Sequence, residues 1–193
     1  ESRTVEQVYL QETGPSGDIY AKGSWVLHTL RGLVGDEDFF TSTRRLVYGR
    51  PDPRPGNFEP RFASTDEFEA IVSEEAGRDL SWFFDVYLRS AELPELISER
   101  SGDTLSLRWK TPNDLPFPMP VEVKVGDRIE TVAMTGGSGS LSVPAGTHVV
   151  LDPGSKILKQ SDDVDALQTW RWEQAVKRLE PGQAPPPRPC IAD

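Results

Sequence analysis

The spacing of apolar residues changes sharply between residues 96 and 100 of this chain. Before that point, apolar side chains recur at every third or fourth position, which is the period of an amphipathic helix. After it they alternate with polar residues, as in a strand with one buried face. Neither pattern buries its apolar residues in the other structure, so the two halves must fold differently. The chain is therefore predicted to be α+β, a helical bundle followed by a small antiparallel β-sandwich.

Four helices are predicted in the first half. The run KGSWVLHTLRGLVG stops at Gly35, a typical residue after a helix C-terminus, and Asp36 is expected to cap the next helix. That second helix would bury one face made of Phe39, Phe40, Thr43, Leu46 and Val47. After the proline-rich loop RPDPRPGNFEPRF, Ser64 and Glu67 have the spacing of a capping box. Asp79 is expected to cap LSWFFDVYLRS, the last of the four.

Five short alternating runs follow, DTLSLRW, MPVEVKV, RIETVAM, GSLSVP and THVVLD. Gly126-Asp127 is typical of a two-residue hairpin turn. DALQTWRWEQAVKRLE predicts a final helix, and the tail PGQAPPPRPCIAD is expected to be a solvated segment or, less favoured, a polyproline ligand. The predicted domains are residues 1–97 (helical), 98–160 (β-sandwich) and 161–193 (terminal helix and proline-rich tail).

The charge of the chain argues against two classes of partner. It has 21 Lys and Arg against 31 Asp and Glu, a formal net charge of -10. A general nucleic-acid binder needs basic surface to neutralise phosphates, and a polybasic membrane contact needs the same. No apolar run approaches the ~18 residues that a membrane-spanning helix requires. Neither a nucleic-acid partner nor a membrane span is expected.

The first residues, ESRTVEQVYLQE, lack the basic and apolar zones of a signal peptide. The sequence also begins without methionine, so we expect it to be a processed or excised piece of a longer protein. The single Cys190 cannot form an internal disulfide, and the chain can belong to a cytoplasmic, periplasmic or secreted protein.

Neither histidine suits a metal site, and the cysteine does not suit catalysis. His28 has no ligand residue one helical turn away, His148 lies in a predicted strand, and Cys190 has no nearby histidine. Without an H-E-x-x-H motif or a Cys pair, a self-contained zinc site is not expected. The acidic run at residues 36–38 could ligate calcium, but we favour its ordinary role at a helix N-terminus.

Several motifs follow one another in a specific order. The stretch YAKGSWVLHTLR, residues 20–31, places a phenol and a Lys-Gly pair at the start of the first helix. GDEDFFTSTRRLVYGR comes next, then FASTDEFEAIVSEEAGRDLSWFFDVYLRSAELPEL, and later MPVEVKV and VVLDP. By spacing alone, Tyr20 would be a packed residue at a helix start. Over residues 18–159, however, the series resembles the gluzincin zinc aminopeptidases, the aminopeptidase N-like family.

The resemblance implies that the helical half is the end of a thermolysin-like catalytic domain. Tyr20 then matches the family tyrosine whose hydroxyl points at the scissile carbonyl and stabilises the tetrahedral intermediate together with the metal. Gly23 would let the helix start pack closely, and Lys22 would help to fix that turn. Two positions depart from the family pattern: Tyr87 stands where Trp is frequent, and Glu92 replaces a usual Gly.

In that family the zinc ligands and the general-base glutamate precede the Tyr-x-Lys-Gly motif, and this sequence does not contain them. The resemblance thus implies a piece of a zinc-dependent aminopeptidase that releases N-terminal residues from peptides, with zinc in the parent protein only. This piece alone is expected to be inactive. The implied partners are a peptide substrate, the missing N-terminal catalytic part and a second copy bound through an exposed helical face. The alternative is a non-catalytic scaffold of the same fold.

Overall fold

The computed structural model describes residues 18–56, 61–180 and 182–186. The first half forms the helices α1 (Asp18–Val34), α2 (Asp36–Tyr48), α3 (Thr65–Glu75) and α4 (Ser81–Tyr87). The second half forms the strands β1 (Glu95–Ser101), β2 (Thr104–Lys110), β3 (Val121–Val125), β4 (Arg128–Val132), β5 (Ser138–Ser142) and β6 (Val149–Leu151). The helix α5 (Asp162–Lys177) follows them. The α+β organisation predicted from the two periods is confirmed.

Local chemistry sets the ends of the first three helices. Gly35 has a φ of 88°, which glycine adopts without strain, and it separates α1 from α2. Ser64 Oγ accepts from the Glu67 N–H at 3.2 Å, so Ser64 is confirmed as the N-cap of α3. The predicted cap at Asp36 is wrong, because Gly35 occupies the N-cap position of α2. The Asp36 carboxylate instead accepts from the Arg31 guanidinium at 2.8 Å, and this bond lowers the pKa of Asp36.

The start of α4 also differs from the prediction by one residue. Its N-cap position is held by Leu80, which is fully buried, and not by Asp79. Asp79 accepts hydrogen bonds from the hydroxyl of Ser81 at 2.8 Å and from its backbone N–H at 3.1 Å. These bonds lower the pKa of Asp79, the hydroxyl contributing most. The buried side chain of Leu80 thus packs the turn against the core, and the hydrogen bonds of Asp79 to Ser81 fix the conformation of the turn on its exposed side.

The strands form two three-stranded antiparallel sheets, ordered β1-β2-β5 and β4-β3-β6. Gly126-Asp127 joins β3 to β4 as predicted, with Val125 paired to Arg128 across the turn. The apolar period does not predict β1. The last four residues of this strand are all exposed, so its sequence shows little alternation of apolar and polar residues. β1 pairs with β2 along its whole length, and the predicted domain boundary at residues 97 and 98 falls inside it.

One hydrophobic cluster contains residues of the helices and of both sheets, and its centre is aromatic. The ring of Phe117 lies 5.5 Å from Tyr87 of α4 and 5.2 Å from Trp109 of β2, measured between centroids. The Trp109 indole N–H donates to the Met119 carbonyl at 2.8 Å, so its polar atom is satisfied inside the cluster. Phe83 is fully buried beside Tyr87, with the two ring centroids 4.7 Å apart.

The helices α1 and α2 bury less of their apolar surface than the sequence predicts. Phe40 and Val47 of α2 are 43% and 51% exposed, so their assignment to a buried face is wrong. Trp25 and Leu27 of α1 are exposed to a similar degree. Helical spacing shows that a stripe is apolar, but it does not show whether a neighbouring element covers that stripe.

The loop of residues 152–160, which follows β6, is shaped by one buried carboxylate. The Asp152 N–H donates to the Glu122 carbonyl of β3 at 2.7 Å. The Asp152 carboxylate accepts from the backbone N–H groups of Lys156 at 2.8 Å and Ile157 at 3.1 Å, and from Lys159 Nζ at 2.7 Å. A buried charge is tolerated only with such partners, so this set of bonds fixes the course of the loop.

The same loop then holds two helices against the β half. The Leu158 N–H donates to Thr29 Oγ1 of α1 at 2.9 Å, and the Tyr87 hydroxyl of α4 donates to the Leu158 carbonyl at 2.6 Å. The Gln160 N–H donates to the Pro94 carbonyl at 2.9 Å, next to the start of β1. A single residue, Leu158, thus bonds α1 and α4 at once.

Replacing Asp152 with Asn should lower the free energy of unfolding by about 2–4 kcal/mol, because buried N–H groups and Lys159 lose an anionic acceptor. Asp127→Asn makes the same chemical change in the exposed β3–β4 turn and should change stability by less than about 0.5 kcal/mol. Urea unfolding of both variants measures the difference. A loss below about 1 kcal/mol for Asp152→Asn would mean that other contacts hold the loop.

The stability of the fold should also depend on Tyr87 at alkaline pH. Burial, and then the negative charge of Asp152, raise the pKa of Tyr87. A tyrosine in the unfolded chain ionises near pH ~10, below the pH at which Tyr87 ionises in the folded chain. The contribution of Tyr87 to the free energy of unfolding is therefore complete below pH ~10. It is lost as the pH rises above that value, because the unfolded state releases its proton first. In Tyr87→Phe, the free energy of unfolding should fall less steeply with rising pH, by up to about 1.4 kcal/mol per pH unit.

Denaturant unfolding between about pH 9 and 11 tests this dependence. Tyr20→Phe is the matched control, since Tyr20 is 74% exposed, and it should leave the slope of stability against pH unchanged. Equal slopes for Tyr87→Phe and the unaltered chain would contradict the assignment.

Candidate functional site

Tyr20, the residue that the motif series singles out, lies in the first turn of α1. Its side chain is 74% exposed, and its hydroxyl makes no hydrogen bond to any residue that the structure describes. By spacing alone it would have been a packed residue, and that interpretation is wrong. The phenol is therefore presented on the surface, where its hydroxyl can donate a hydrogen bond.

Lys22 fixes the turn that carries Tyr20. Its Nζ donates to the Ser90 carbonyl at 2.9 Å and to the Ala91 carbonyl at 3.1 Å. Both carbonyls lie in the segment after α4, and a hydrogen bond from a charged donor such as Lys22 is stronger than one between neutral groups. The lysine thus joins the start of α1 to the segment after α4, across 68 and 69 residues of sequence. The resemblance implied that Lys22 fixes this turn, but the sequence did not reveal its partners.

Within the described part of the chain, no close packing surrounds Gly23. A Cβ placed there would meet no atom within 4 Å, and its φ is not in the left-handed region. Among the described residues nothing requires glycine at this position. The Lys-Gly pair therefore acts on the described structure through its lysine.

An exposed apolar surface runs from Tyr20 along α1 and onto α2. We call it the α1–α2 face, and it consists of Tyr20 and Leu27, seven residues apart on one side of α1, and of Phe40 and Val47, seven apart on α2, each more than 40% exposed. The Arg31 guanidinium lies 5.0 Å from the centroid of the Phe40 ring, and this contact joins the two helices across the face. Apolar residues exposed together on two adjacent helices are typical of an interface.

The described residues do not form a metal site. His28 is exposed and stands edge-on to Trp25 at 5.3 Å, and His148 is exposed beside β6. Within residues 18–56, 61–180 and 182–186, no three His, Cys, Asp or Glu side chains come together as potential ligands. These residues therefore do not fit a zinc ion. Cys190 lies outside the described residues.

A cluster of ion pairs around Arg89 joins α3 to α4. Arg89 forms salt bridges with Asp66 at 2.7 Å, Glu69 at 2.8 Å and Asp85 at 3.0 Å. Partial burial lowers the pKa of Arg89, but the hydrogen bonds with these carboxylates outweigh it, and the net pKa is raised. The sequence analysis missed this cluster, although the four-residue spacing of Asp85, in α4, and Arg89, just after its end, was a usable signal. The cluster holds α3 to α4 and carries no reactive group.

A cavity of about 220 Å³ lies between α1 and the sheet β4-β3-β6. Thr29, Glu122, Asp152 and Lys156 line it. Their polar groups already bond to protein, Lys156 Nζ to Glu122 Oε1 at 2.6 Å, and Asp152 and Thr29 to the loop that follows β6. We therefore interpret the cavity as part of the packing between α1 and the sheet, and not as a ligand site.

No family model and no curated protein matches this chain. Among solved structures, the chain is similar to the aminopeptidase A of Legionella pneumophila in complex with aspartic acid, with a TM-score of 0.51 and 17% identity. The match covers 84% of this chain and 21% of that structure, so the chain spans about a fifth of its length. The similarity shows an aminopeptidase-like fold. The described residues include no helix long and apolar enough to cross a membrane.

Replacing Lys22 with Met should lower the free energy of unfolding by about 1.5–3 kcal/mol, because two carbonyls lose a charged donor. Lys177→Met, at an exposed position in the last turn of α5, is the matched control and should change stability by less than about 0.5 kcal/mol. Thermal or urea unfolding measures both variants. Equal losses in the two would show that the Lys22 bonds do not hold the helix start.

Proposed function

We propose that this chain is part of a zinc-dependent aminopeptidase that hydrolyses N-terminal residues from peptides. The observation that carries the proposal is the exposed Tyr20, which opens an ordered series of family motifs in a chain with an aminopeptidase-like fold. The motif order and the fold are separate lines of support, since one comes from residue identities and the other from backbone geometry. Fold similarity alone would not support an activity.

Tyr20 is the catalytic residue that this chain contributes. In peptide hydrolysis, negative charge develops on the carbonyl oxygen of the bond that breaks, and a preorganised donor stabilises it. A phenol suits this task because it is neutral at pH 7 and can donate a hydrogen bond. Lys22 restricts the turn on which the phenol lies, so less reorientation is needed when the substrate binds.

The zinc of the proposed enzyme is held by residues that precede those of this chain in the parent protein. Zinc supplies Lewis-acid activation of the carbonyl and of a water molecule when it is bound. The described residues hold no ligand set for it, so their contribution to the reaction is the hydrogen bond of Tyr20 and the turn that Lys22 fixes. This chain alone is proposed to be inactive.

The α1–α2 face is the proposed contact with the rest of the catalytic domain. It places Tyr20 at one end of an apolar surface that would be costly to leave in water. When the chain is isolated, the same face is expected to pair with a second copy.

Tyr20→Phe in the parent protein should lower kcat by about 10²–10³-fold, the usual loss for one oxyanion donor, with a much smaller change in substrate affinity. Tyr48→Phe removes a phenol hydroxyl from the end of α2 and is the matched control. Steady-state kinetics on a peptide with a free N-terminus measures both. Near-normal kcat in Tyr20→Phe would remove Tyr20 from the mechanism.

Metal analysis of the parent protein distinguishes the enzyme from the non-catalytic scaffold. About one zinc per chain together with peptidase activity supports the aminopeptidase. A parent protein that lacks zinc, lacks activity and co-purifies with a stoichiometric partner would be the scaffold, and it would refute the proposed function.

The isolated chain should form dimers, and Val47→Lys should dissociate them, because the new charge would lie inside the buried α1–α2 face. Ile129→Lys is the matched control, since Ile129 is 58% exposed on β4, away from that face. Sedimentation velocity over a range of concentrations measures the association. A monomer at the highest concentration would contradict the expected dimer.

A further inference from the structure

The proline-rich segment after α5 folds back onto that helix. The indole Nε1–H of Trp172 donates to the carbonyl oxygen of Pro186 at 2.9 Å, across 14 residues of sequence. This contact is unrelated to Tyr20 and to the α1–α2 face. Residues 182–186 are exposed, as predicted for a solvated segment, and the Pro186 carbonyl at their end is bonded to α5.

A tight turn returns the chain toward the helix. Gly182 has a φ of 94°, and the Gln183 N–H donates to the Glu180 carbonyl at 3.1 Å. The Gln183 side-chain oxygen accepts from the Glu180 N–H at 3.2 Å, which closes the turn from both sides. Pro-Gly at residues 181 and 182 is the sequence typical of a type II turn. The reversal therefore depends on local residues and needs no other part of the protein.

The returning segment is restricted to an extended conformation. Ala184, Pro185 and Pro186 are each followed by proline in the sequence, and a residue before proline is confined to β or polyproline II geometry. The φ of each proline is also fixed near -65° by its ring. Such a segment loses little conformational entropy when it binds, which is why proline-rich peptides serve as ligands.

The helix side of the contact has a face suited to such a segment. Thr169, Trp172 and Val176 are spaced by three and four residues, so they lie on one face of α5, and each is half-buried. Trp170 points to another side and is 57% exposed. None of the α5 side chains that the structure describes belongs to the main hydrophobic cluster. The face that carries Trp172 is thus separate from the core of the fold.

We propose that Trp172 and its face of α5 form a polyproline-binding site, and that residues 184–186 of the same chain are its resident ligand. Aromatic-lined grooves recognise proline-rich peptides through an aromatic surface for the proline rings and a donor for a backbone carbonyl. The Trp172 indole N–H supplies the donor that the structure shows, and the half-buried Trp172 ring is the proposed aromatic surface. The ligand class is a proline-rich peptide in polyproline II conformation, and such a peptide from another chain would compete with the resident segment.

Hydrogen exchange of the indole N–H groups tests the contact in the full chain. In ¹⁵N NMR spectra, the signals lost in Trp172→Phe and in the matched control Trp170→Phe identify the two indoles. The Trp172 indole should exchange roughly fivefold or more slowly than that of Trp170, as expected for one intramolecular hydrogen bond. Equal exchange rates would overturn the proposal.

A second variant tests whether proline is what the site binds. In Pro185→Ser/Pro186→Ser the protection of Trp172 should fall to the level of Trp170, because the segment loses its restriction to polyproline II. Protection that survives the double substitution would overturn the proposal, since another contact would then be its cause.

A peptide of sequence GQAPPPRP, added to the double-serine variant, tests the ligand class in trans. At about 5 mM, which approaches the effective concentration of a tethered segment, it should shift the Trp172 indole signal and slow its exchange again. The peptide GQASSSRS should do neither. A proline peptide that leaves Trp172 unchanged, or a serine peptide that acts equally well, would refute a polyproline-binding site.

Discussion

The buried carboxylate of Asp152 is the interaction on which the arrangement of this molecule depends. Two backbone N–H groups and Lys159 converge on it, and their bonds give the loop after β6 one shape. That shape presents both backbone groups of Leu158 to side chains on α1 and α4. The hydrophobic cluster is non-directional and would tolerate sliding, whereas these hydrogen bonds specify one orientation. Helices and sheets are thus positioned by a loop that itself has no regular structure.

Tyr87 contributes both to hydrophobic packing and to the directional hydrogen bonds. Its ring packs on Phe83 and Phe117 within the core, while its hydroxyl reaches the Leu158 carbonyl. Ion pairs around Arg89 brace the same helices from the solvent side.

Two surfaces of the molecule are independent of each other. The α1–α2 face carries Tyr20, and Lys22 ties its first turn to the end of α4, so a catalytic role depends on the main fold. Trp172 and the proline-rich segment depend on α5 and one local turn. Because no residue is shared between them, a change at the tail is not expected to alter the proposed chemistry. The two proposals can therefore fail or succeed separately.

The sequence by itself determined the elements whose cause is local. Periods of 3.6 and two residues identified the helices and most strands, and Gly35, Ser64 and Gly126-Asp127 marked ends and turns, because backbone geometry and capping act over a few residues. Resemblance identified Tyr20, but only the tertiary structure showed its exposure, since burial depends on which elements pack together. The edge strand β1 lacks a buried face to reveal its period. The hydrogen bonds of Lys22 join residues that are far apart in the sequence. Those of Asp152 and Trp172 form only because the chain turns back between the two partners. No local sequence pattern encodes either kind of contact.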